Sequence, residues 1–598
     1  MTDPTVADGA ARTGGAGIVG DSSSKGRLAA LGGALRLGQD GRAFKSRKQD
    51  EVARKLRRAL QYLVAGDAAK ASTVAQAALE LDERHGKAWH VLAIAMEKGG
   101  DLQKAFLAYE AAVKLLPDDS ALVEDLGTLA HRLGYLDVAE KLYHKRLSLG
   151  PGHVGATNNL ACVLRDSNRY GEAIELLKGV IAVNPDSALL WNTLGTVLSD
   201  EGTMQGSVVF FEEALRLDPR FYRARYNLAN VRMALGAAEE ALESIDLALR
   251  GVKAPADVAT MKMAKAFTQM MLGDLVGGFD TYETRFSPAL ADAVAFDEFG
   301  NRWSPRDDLQ GKTLLIYGEQ GLGDEILFAN LLADVIAAVG PEGQVILATD
   351  ARLAPLFKRS YPSIIACSHL TVSQNGRTRR SVVFDTEIPA IDFWTPLGSL
   401  FRGYRTTVDQ FPRDPGFLKA DPDRIAHWQQ VLQDLSPAPK VGILWKSLNM
   451  KGARARSFTP FDLWQPVLET KGVQFVNLQY GDCSAELAQA EAVELNVWTP
   501  PGIDLKADLD DVAALCCALD LVVGPMTATL NIAAACGVPA WVISTPDSWP
   551  RFGTDGLPCY PSARLFPADG FGEWEGVMSR IERGLREDIV GTGIAAAA

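Results

Sequence analysis

Cysteine, histidine, long apolar runs and an excess of positive charge are all scarce in this chain of 598 residues, and each shortage removes a class of protein. The seven cysteines (Cys162, Cys367, Cys483, Cys516, Cys517, Cys536 and Cys559) are scattered without a Cys-x-x-Cys pair, so neither a disulfide scaffold nor a thiolate metal site is expected. A reducing compartment, here the cytoplasm, fits that usage. The seven histidines, His369 and His427 among them, show no paired ligand spacing, and no bound metal is expected. No apolar run approaches the roughly 20 residues of a membrane helix, and the first residues lack the charged-then-apolar pattern of a signal peptide. Lys and Arg number 61 against 74 Asp and Glu, a net charge of −13, whereas a nucleic-acid binder needs a basic face to displace counterions. Neither nucleic acid nor a membrane is therefore an expected partner, although a local basic pocket remains open.

The first half of the chain is periodic. Pro117, Pro151, Pro185 and Pro219 stand 34 residues apart, and each closes a unit with the same internal spacing. In the unit opened by Gly86 the pattern is Trp89, Leu92, Ala93, Ala105, Tyr109, Ala112 and Pro117; the unit opened by Ala188 repeats it with Trp191, Leu194, Gly195, Phe211, Ala214 and Pro219. A two-helix unit of this length cannot bury its apolar face alone, so neighbours stack into an α-solenoid. The pattern resembles the tetratricopeptide repeat, which implies a docking surface for protein. Residues 1–48, rich in Gly, Ala and Ser, read as a disordered segment and 49–288 as the solenoid, its last pair degenerate as terminal repeats are. Residues 289–311, with Pro305 and Asp307-Asp308, read as a linker. The sixth position of successive repeats holds Asp125, Asn159, Thr193 and Asn227. Aligned positions of a solenoid line its inner groove, where such side chains would clamp an extended peptide, in the manner of the asparagine ladder of protein glycosyltransferases with similar repeats. Docking of a folded or helical segment is the equal alternative.

After Gly311 the period changes. Continuous apolar runs (Thr313–Tyr317, Val345–Ala348, Val382–Phe384, Val441–Trp445, Phe475–Leu478, Leu519–Val523, Ala540–Ile543) alternate with helical stretches, the pattern of parallel sheets covered on both faces. The proline- and polar-rich stretch 412–439 (Pro412, Pro415, Pro422, Pro437, Pro439) divides the region, with an interlobe linker at 416–438 between lobes at 312–415 and 439–588, followed by a loose tail at 589–598. Ligands of such folds lie at the carboxyl ends of the strands. There the first lobe places Glu319-Gln320-Gly321-Leu322-Gly323-Asp324-Glu325, a glycine turn with carboxylates at a helix start. The second lobe places Lys446 and Ser447, then Lys451, Arg454, Arg456 and Ser457, and later the small-residue turn Gly524–Asn531 with Thr527 and Thr529. A carboxylate facing cations and a helix N-terminus suits transfer of a group from a phosphorylated donor to a hydroxyl. Asp508-Leu509-Asp510-Asp511 mimics a metal-binding motif but reads as a helix cap, and the Arg377, Arg379, Arg380 run as a solvated loop.

The stretches Gly311–Leu315, Glu319–Asp324, Val441–Ser447, Leu478-Gln479 and Asp520–Pro539 resemble a GT-B glycosyltransferase related to the heptosyltransferases. Pro558–Phe566 resembles the end of bacterial proteins that fuse tetratricopeptide repeats to such a domain. The resemblance implies an α-solenoid followed by a metal-independent GT-B fold of two Rossmann-like lobes. It also implies Asp324 as the catalytic base with Glu319 in reserve, and a donor held by Gly321, Gly323, Lys446, Ser447, Arg454, Arg456, Gln479, Thr527 and Asn531. Met526 and Asn531 stand where the heptosyltransferase turn carries Asp and His, a departure from a heptose donor. The arrangement is similar to the flagellin glycosyltransferases of stalked alphaproteobacteria. This implies flagellin as the partner of the repeats, and transfer of a nonulosonic acid such as pseudaminic acid from a CMP-activated cosubstrate, with no other cofactor. A heptosyltransferase-like enzyme of lipopolysaccharide synthesis and a repeat scaffold with an inactive transferase domain are the alternatives.

Overall fold

The computed structural model describes residues 47–590 apart from 375, 376, 383, 385, 386, 449 and 451. The loose segments expected at 1–48 and 589–598 therefore fall almost wholly outside the described residues. Among the latter, no helix is long and apolar enough to cross a membrane. The chain forms two compact units that divide at Ala224 and Arg225.

The first unit is a run of helices from Arg47–Val64 to Met204–Leu217, each packed on the next. Helix starts are set by side chains that take up free backbone N–H groups: Asp67, Asp101 and Asp119 accept from Lys70, Lys104 and Leu122, and His85 and His153 from Ala88 and Ala156. The turn inside each repeat requires a left-handed residue, supplied by Gly66, Gly100, Gly134 and Gly202, with Asn168 at the equivalent place. The small residue of the repeat makes room for the ring that follows it. A Cβ on Gly195 would lie 3.0 Å from Phe211, and one on Gly127 3.2 Å from Tyr143.

Polar contacts one repeat apart tie neighbours together. His90 meets Asp125 at 2.9 Å, His131 meets Asp166 at 2.7 Å, and the Thr193 hydroxyl donates to Asn158. These contacts correct the expected groove ladder. Asp125, Asn159, Thr193 and Asn227 are 6, 0, 0 and 5 % exposed. Asp125 is committed to His90, the Asn159 carbonyl accepts from Asn158, and Thr193 also donates to the Leu189 carbonyl. Asp125 and Thr193 thus contact the preceding repeat, and all four side chains are buried where an exposed groove row was expected.

The second unit begins with the rest of the helix Tyr222–Ala234, continues through Ala238–Gly251, Pro255–Met271 and Leu275–Tyr282, and then builds two sheets. The first sheet comprises β1 (Val294–Phe296), β2 (Asn301–Arg302), β3 (Thr313–Tyr317), β4 (Gln344–Thr349), β5 (Ile365–Gln374), β6 (Arg377–Val382) and β7 (Phe393–Pro396) in the order β1-β6-β5-β4-β3-β7-β2. Its pairs are parallel except the β5–β6 hairpin. The second comprises β8 (Lys440–Ile443), β9 (Gln474–Asn477), β10 (Val497–Trp498), β11 (Leu521–Pro525), β12 (Ala540–Ser544) and β13 (Ala563–Pro567), all parallel, in the order β10-β9-β8-β11-β12-β13. Every residue of β3, β11 and β12 is buried, as strands covered on both faces require.

β5, β7, β10 and β13 were not among the expected strands, the run expected at Val382–Phe384 contributes, among the described residues, only Val382 to a strand, and three further segments differ from expectation. The expected linker 289–311 supplies β1 and β2, the two edges of the first sheet. The expected interlobe linker 416–438 contains the helix Pro422–Leu435, started by the Asp421 carboxylate and anchored by Trp428, which donates to Asp511 at 2.9 Å. The arginine run forms β6, with Arg379 on Asp297 at 2.6 Å and Arg380 buried.

The last helical pair is fused to the sheets. Phe279 packs at a tilt against Phe401 and Phe552, with ring centroids 4.7 and 5.9 Å away. Arg285 makes a two-pronged ion pair with Glu319, at 2.8 and 2.9 Å, and donates to Ser399.

Candidate functional site

A cavity of about 500 Å³ opens where the carboxyl ends of β3, β4, β8, β11 and β12 converge, with one wall from each sheet. That size and place are those of a small-molecule site in an α/β fold.

The first wall is built on the turn after β3. Gln320 adopts the left-handed conformation (φ 59°) and Gly321 starts the helix Leu322–Phe328, with its N–H held by Asp324 Oδ2 at 3.2 Å. Gly318 must be glycine, since a Cβ there would lie 2.5 Å from the Glu325 carboxylate. Gly321, Gly323 and Asp324 all line the cavity. Gly323 also permits close approach of the second wall, for a Cβ on it would sit 2.8 Å from Asn531 Nδ2.

Behind this turn, Glu325 is a buried hub. Its Oε2 accepts from the Thr349 hydroxyl at 2.6 Å and the Asp350 N–H at 3.0 Å, and its Oε1 from His369 Nε2 at 2.9 Å and Arg380 at 3.5 Å. Burial opposes its charge, yet the hydrogen bond from His369, the Arg380 guanidinium and the Thr349 hydroxyl together hold its carboxyl below the ordinary range. Arg380 also donates from its two terminal nitrogens to the Gly318 and Gln320 carbonyls, which fixes the turn.

The second wall is the start of the helix Ala528–Ala535. Its N-cap, Thr527, makes no side-chain capping bond, so the first-turn N–H groups face the cavity without that partner. Thr527 Oγ1, Asn531 Oδ1 and Ser544 Oγ are buried on this wall, in residues 8, 3 and 8 % exposed, and none has a hydrogen-bond partner. A buried polar atom left unpaired costs about 1–3 kcal/mol. Three of them beside one helix N-terminus mark a surface shaped for something else to bind, and the helix dipole favours an anion there.

The structure thus brings together Gly321, Gly323, Asp324, Ser447, Thr527 and Asn531. It separates the others. Glu319, expected as the reserve base, is 1 % exposed and occupied by Arg285 and by the Gly398 N–H at 2.6 Å. Lys446 is not on the cavity wall; its ammonium pairs with Glu486 from the helix Ser484–Ala492. Gln479 is wholly spent in pinning the chain after β8, accepting from the Trp445 and Lys446 N–H groups and donating to the Lys446 and Tyr480 carbonyls. Arg456 is half-buried off the wall. Arg454 belongs to the short 3-10 turn Gly452–Ser457, its side chain lying outside what is described, as does Lys451 entirely.

Three cations line the cavity: Arg380, expected in a solvated loop, and two that sequence reasoning missed. Arg352, directly after β4, is braced by Asp350 at 2.9 Å and reaches the Lys506 carbonyl at 3.2 Å, and Lys506 itself lines the opening. Arg352 stood four residues past the expected strand Val345–Ala348, at the carboxyl end where such folds bind ligands, and that position was its only signal. The Asp508 carboxylate accepts from the Asp511 N–H and caps the helix Leu509–Cys517, as read from the sequence. Among the described residues no cluster of three or more His, Cys, Asp or Glu is placed to hold a metal ion.

Comparison with known proteins places the chain. Residues 56–120, 158–208 and 210–257 match the tetratricopeptide-repeat family. Over 574 residues, 96 % of this chain and 94 % of the relative, it is 47 % identical to "Protein FlbA" of Caulobacter vibrioides. The peroxisomal targeting signal receptor of Kluyveromyces lactis is 37 % identical over 83 residues, 14 % of this chain and 15 % of that one. Among solved structures, a tetratricopeptide repeat protein from Parabacteroides merdae aligns with 39 % of this chain and 91 % of its own, at 16 % identity and a TM-score of 0.36.

Proposed function

The chain belongs to the family of Protein FlbA, and we propose that it is a cytoplasmic GT-B glycosyltransferase that moves a sugar from a nucleotide donor to a hydroxyl of flagellin recruited by its repeats. The observation that carries the reading is the cavity's asymmetry. One wall offers carboxylates and an imidazole; the other offers a helix N-terminus with the unpaired Thr527 and Ser544 hydroxyls.

In the proposed reaction the acceptor oxygen attacks the anomeric carbon, the bond from that carbon to the donor phosphate breaks, and its electron pair leaves with the phosphate. The N–H groups at Ala528–Ala535, with Thr527 and Ser544, receive that growing negative charge. A CMP-activated nonulosonic acid also carries a sugar carboxylate, and Arg352 and Lys506 at the opening supply the countercharge first sought in Lys446, Arg454 and Arg456. Asp324, beside the turn, and the acid–imidazole pair behind it are the candidates for taking the acceptor's proton.

The test is the intact mass of flagellin made with and without this protein in a strain that supplies CMP-pseudaminic acid. A mass increment of one or more sugar residues, present only with the protein, is expected. Unchanged flagellin together with loss of a sugar from lipopolysaccharide in a null strain would move the activity to a lipid acceptor. CMP binding without turnover of any donor would leave a scaffold.

A further inference from the structure

Resting on the transferase reading, we infer that His369 is the general base of the reaction and Glu325 the residue that positions it. Neither role was assigned by sequence spacing, because His369 lies on β5 and its partner 44 residues earlier, at the start of the helix after β3.

The hydrogen-bond inventory decides how the ring is used. An ionised carboxylate only accepts, and its two oxygens have about four acceptor positions. All four on Glu325 are taken: two by Thr349 and the Asp350 N–H, two by His369 and Arg380. Nε2 of His369 must therefore carry the hydrogen it gives to Glu325. In the neutral ring Nδ1 then carries the lone pair, and that atom is buried without a partner in a residue that lines the cavity. A base with a free nitrogen, oriented by a carboxylate on its other nitrogen, is the relation that activates a hydroxyl nucleophile. Glu325 is poorly suited to be the base itself, since its acceptor sites are full and a carboxyl held below its ordinary range takes up a proton weakly.

The charges around the ring suit the step. Arg380 offsets Glu325 from β6, while Asp350 at the end of β4 is engaged by Arg352, so the negative groups facing His369 are each partly neutralised before the reaction. As the acceptor oxygen attacks, its proton passes to Nδ1. The imidazolium so formed is held by Glu325 and later releases the proton to water, while the broken bond's electron pair departs with the donor phosphate. Asp324 is the competing base. Its Oδ2 accepts the Gly321 N–H at the helix start, a role that the amide oxygen of Asn can also fill, so Asp324→Asn keeps the cap while removing the carboxylate.

The solenoid contains a control for this reasoning. His90 on Asp125 and His131 on Asp166 show the same pairing with the same unpartnered Nδ1. Those rings sit inside the repeat seam, whereas His369, its Nδ1 equally buried, belongs to the lining of a cavity beside an anion-shaped wall.

The experiment uses the full-length protein, CMP-pseudaminic acid and purified flagellin, with His369→Gln, His369→Ala and Asp324→Asn compared. Gln retains an N–H that can donate to Glu325 but has no basic nitrogen, so it separates positioning from proton transfer. His369→Gln is expected to lose about 10²- to 10⁴-fold in kcat, the range for a lost general base, with CMP affinity and thermal stability unchanged. Added imidazole is expected to restore part of the activity of His369→Ala. Full activity in folded His369→Gln, or no imidazole rescue alongside complete loss in Asp324→Asn, overturns the assignment in favour of Asp324. Donor hydrolysis without flagellin is followed in parallel. A wild type that neither transfers the sugar nor hydrolyses the donor overturns the transferase reading and this inference with it.

Discussion

At the scale of single residues, what matters most is which charges have been taken out of circulation. Glu319 and Lys446 stand in the sequence beside strands that end at the cavity, yet each is neutralised by a partner tens of residues away, Arg285 and Glu486. Sequence position shows where a side chain starts but not what captures it. Of the two pairs, Arg285–Glu319 carries the heavier structural consequence, because both side chains are at most 3 % exposed. Arg285→Met would leave a carboxylate in the interior with only the Gly398 N–H and no countercharge. Breaking a buried pair from one side costs about 3–5 kcal/mol, whereas replacing both partners with apolar residues is often neutral. Urea unfolding of Arg285→Met is therefore expected to show a loss of that size, and Arg285→Met/Glu319→Leu to recover much of it. A loss below about 1 kcal/mol in the single variant would mean that the aromatic packing around Phe279 alone holds the last helices in place.

At the scale of elements, legibility followed length and periodicity. The 34-residue interval of the prolines was readable because a solenoid repeats its contacts, and the same interval recurs in the turn residues Gly66, Gly100, Gly134, Asn168 and Gly202. The long buried strands were readable as apolar runs. β1 and β2 were not: three and two residues carry no period, and they hold their places only because β6 and β7 offer edges to pair with. β6 was hidden by its arginines, whose charges are met by Asp297, Glu325 and backbone carbonyls that only the fold supplies. In the site, the two strand-to-helix turns were legible because glycines and small residues mark close approach. The acid–imidazole pair was not, because it joins a helix start to a strand with no local spacing. The helix start at Thr527 gives an element-scale prediction. Its hydroxyl and that of Ser544 have no partner, so Thr527→Val and Ser544→Ala remove no hydrogen bond from the folded protein. Stability is expected to change by less than about 0.5 kcal/mol. Calorimetric affinity for CMP is expected to fall about tenfold for each, since a hydrogen bond to a charged group contributes about 1.5–3 kcal/mol. Loss of stability with unchanged CMP affinity would make this wall structural.

At the scale of the whole molecule, the repeat pattern and the compact units do not end at the same residue. Sequence periodicity extends the solenoid to residue 288, and the family match reaches 257, but the chain from Arg225 onward belongs with the sheets. The cause is chemical. The pair Pro255–Met271 and Leu275–Tyr282 buries Phe279 against Phe401 and Phe552, sets Phe267 5.9 Å from Trp549, and ends in the Arg285 anchor. These contacts belong to a core, and a cut at 288 would strip them away. A chain beginning at Ala289, which keeps β1, is therefore expected to aggregate or to melt well below the intact protein. One beginning at Pro219, in the turn before the helix Tyr222–Ala234, retains the anchor. It is expected to fold, bind CMP and hydrolyse donor, while failing to modify flagellin because the repeats before it are gone. The two truncations separate the roles that a single deletion of the solenoid would confound. If the shorter chain melts at the same temperature as the longer one, the last helical pair is an ordinary end repeat. If the longer one still modifies flagellin at the wild-type rate, acceptor choice belongs to the sheets and not to the helices before Ala224.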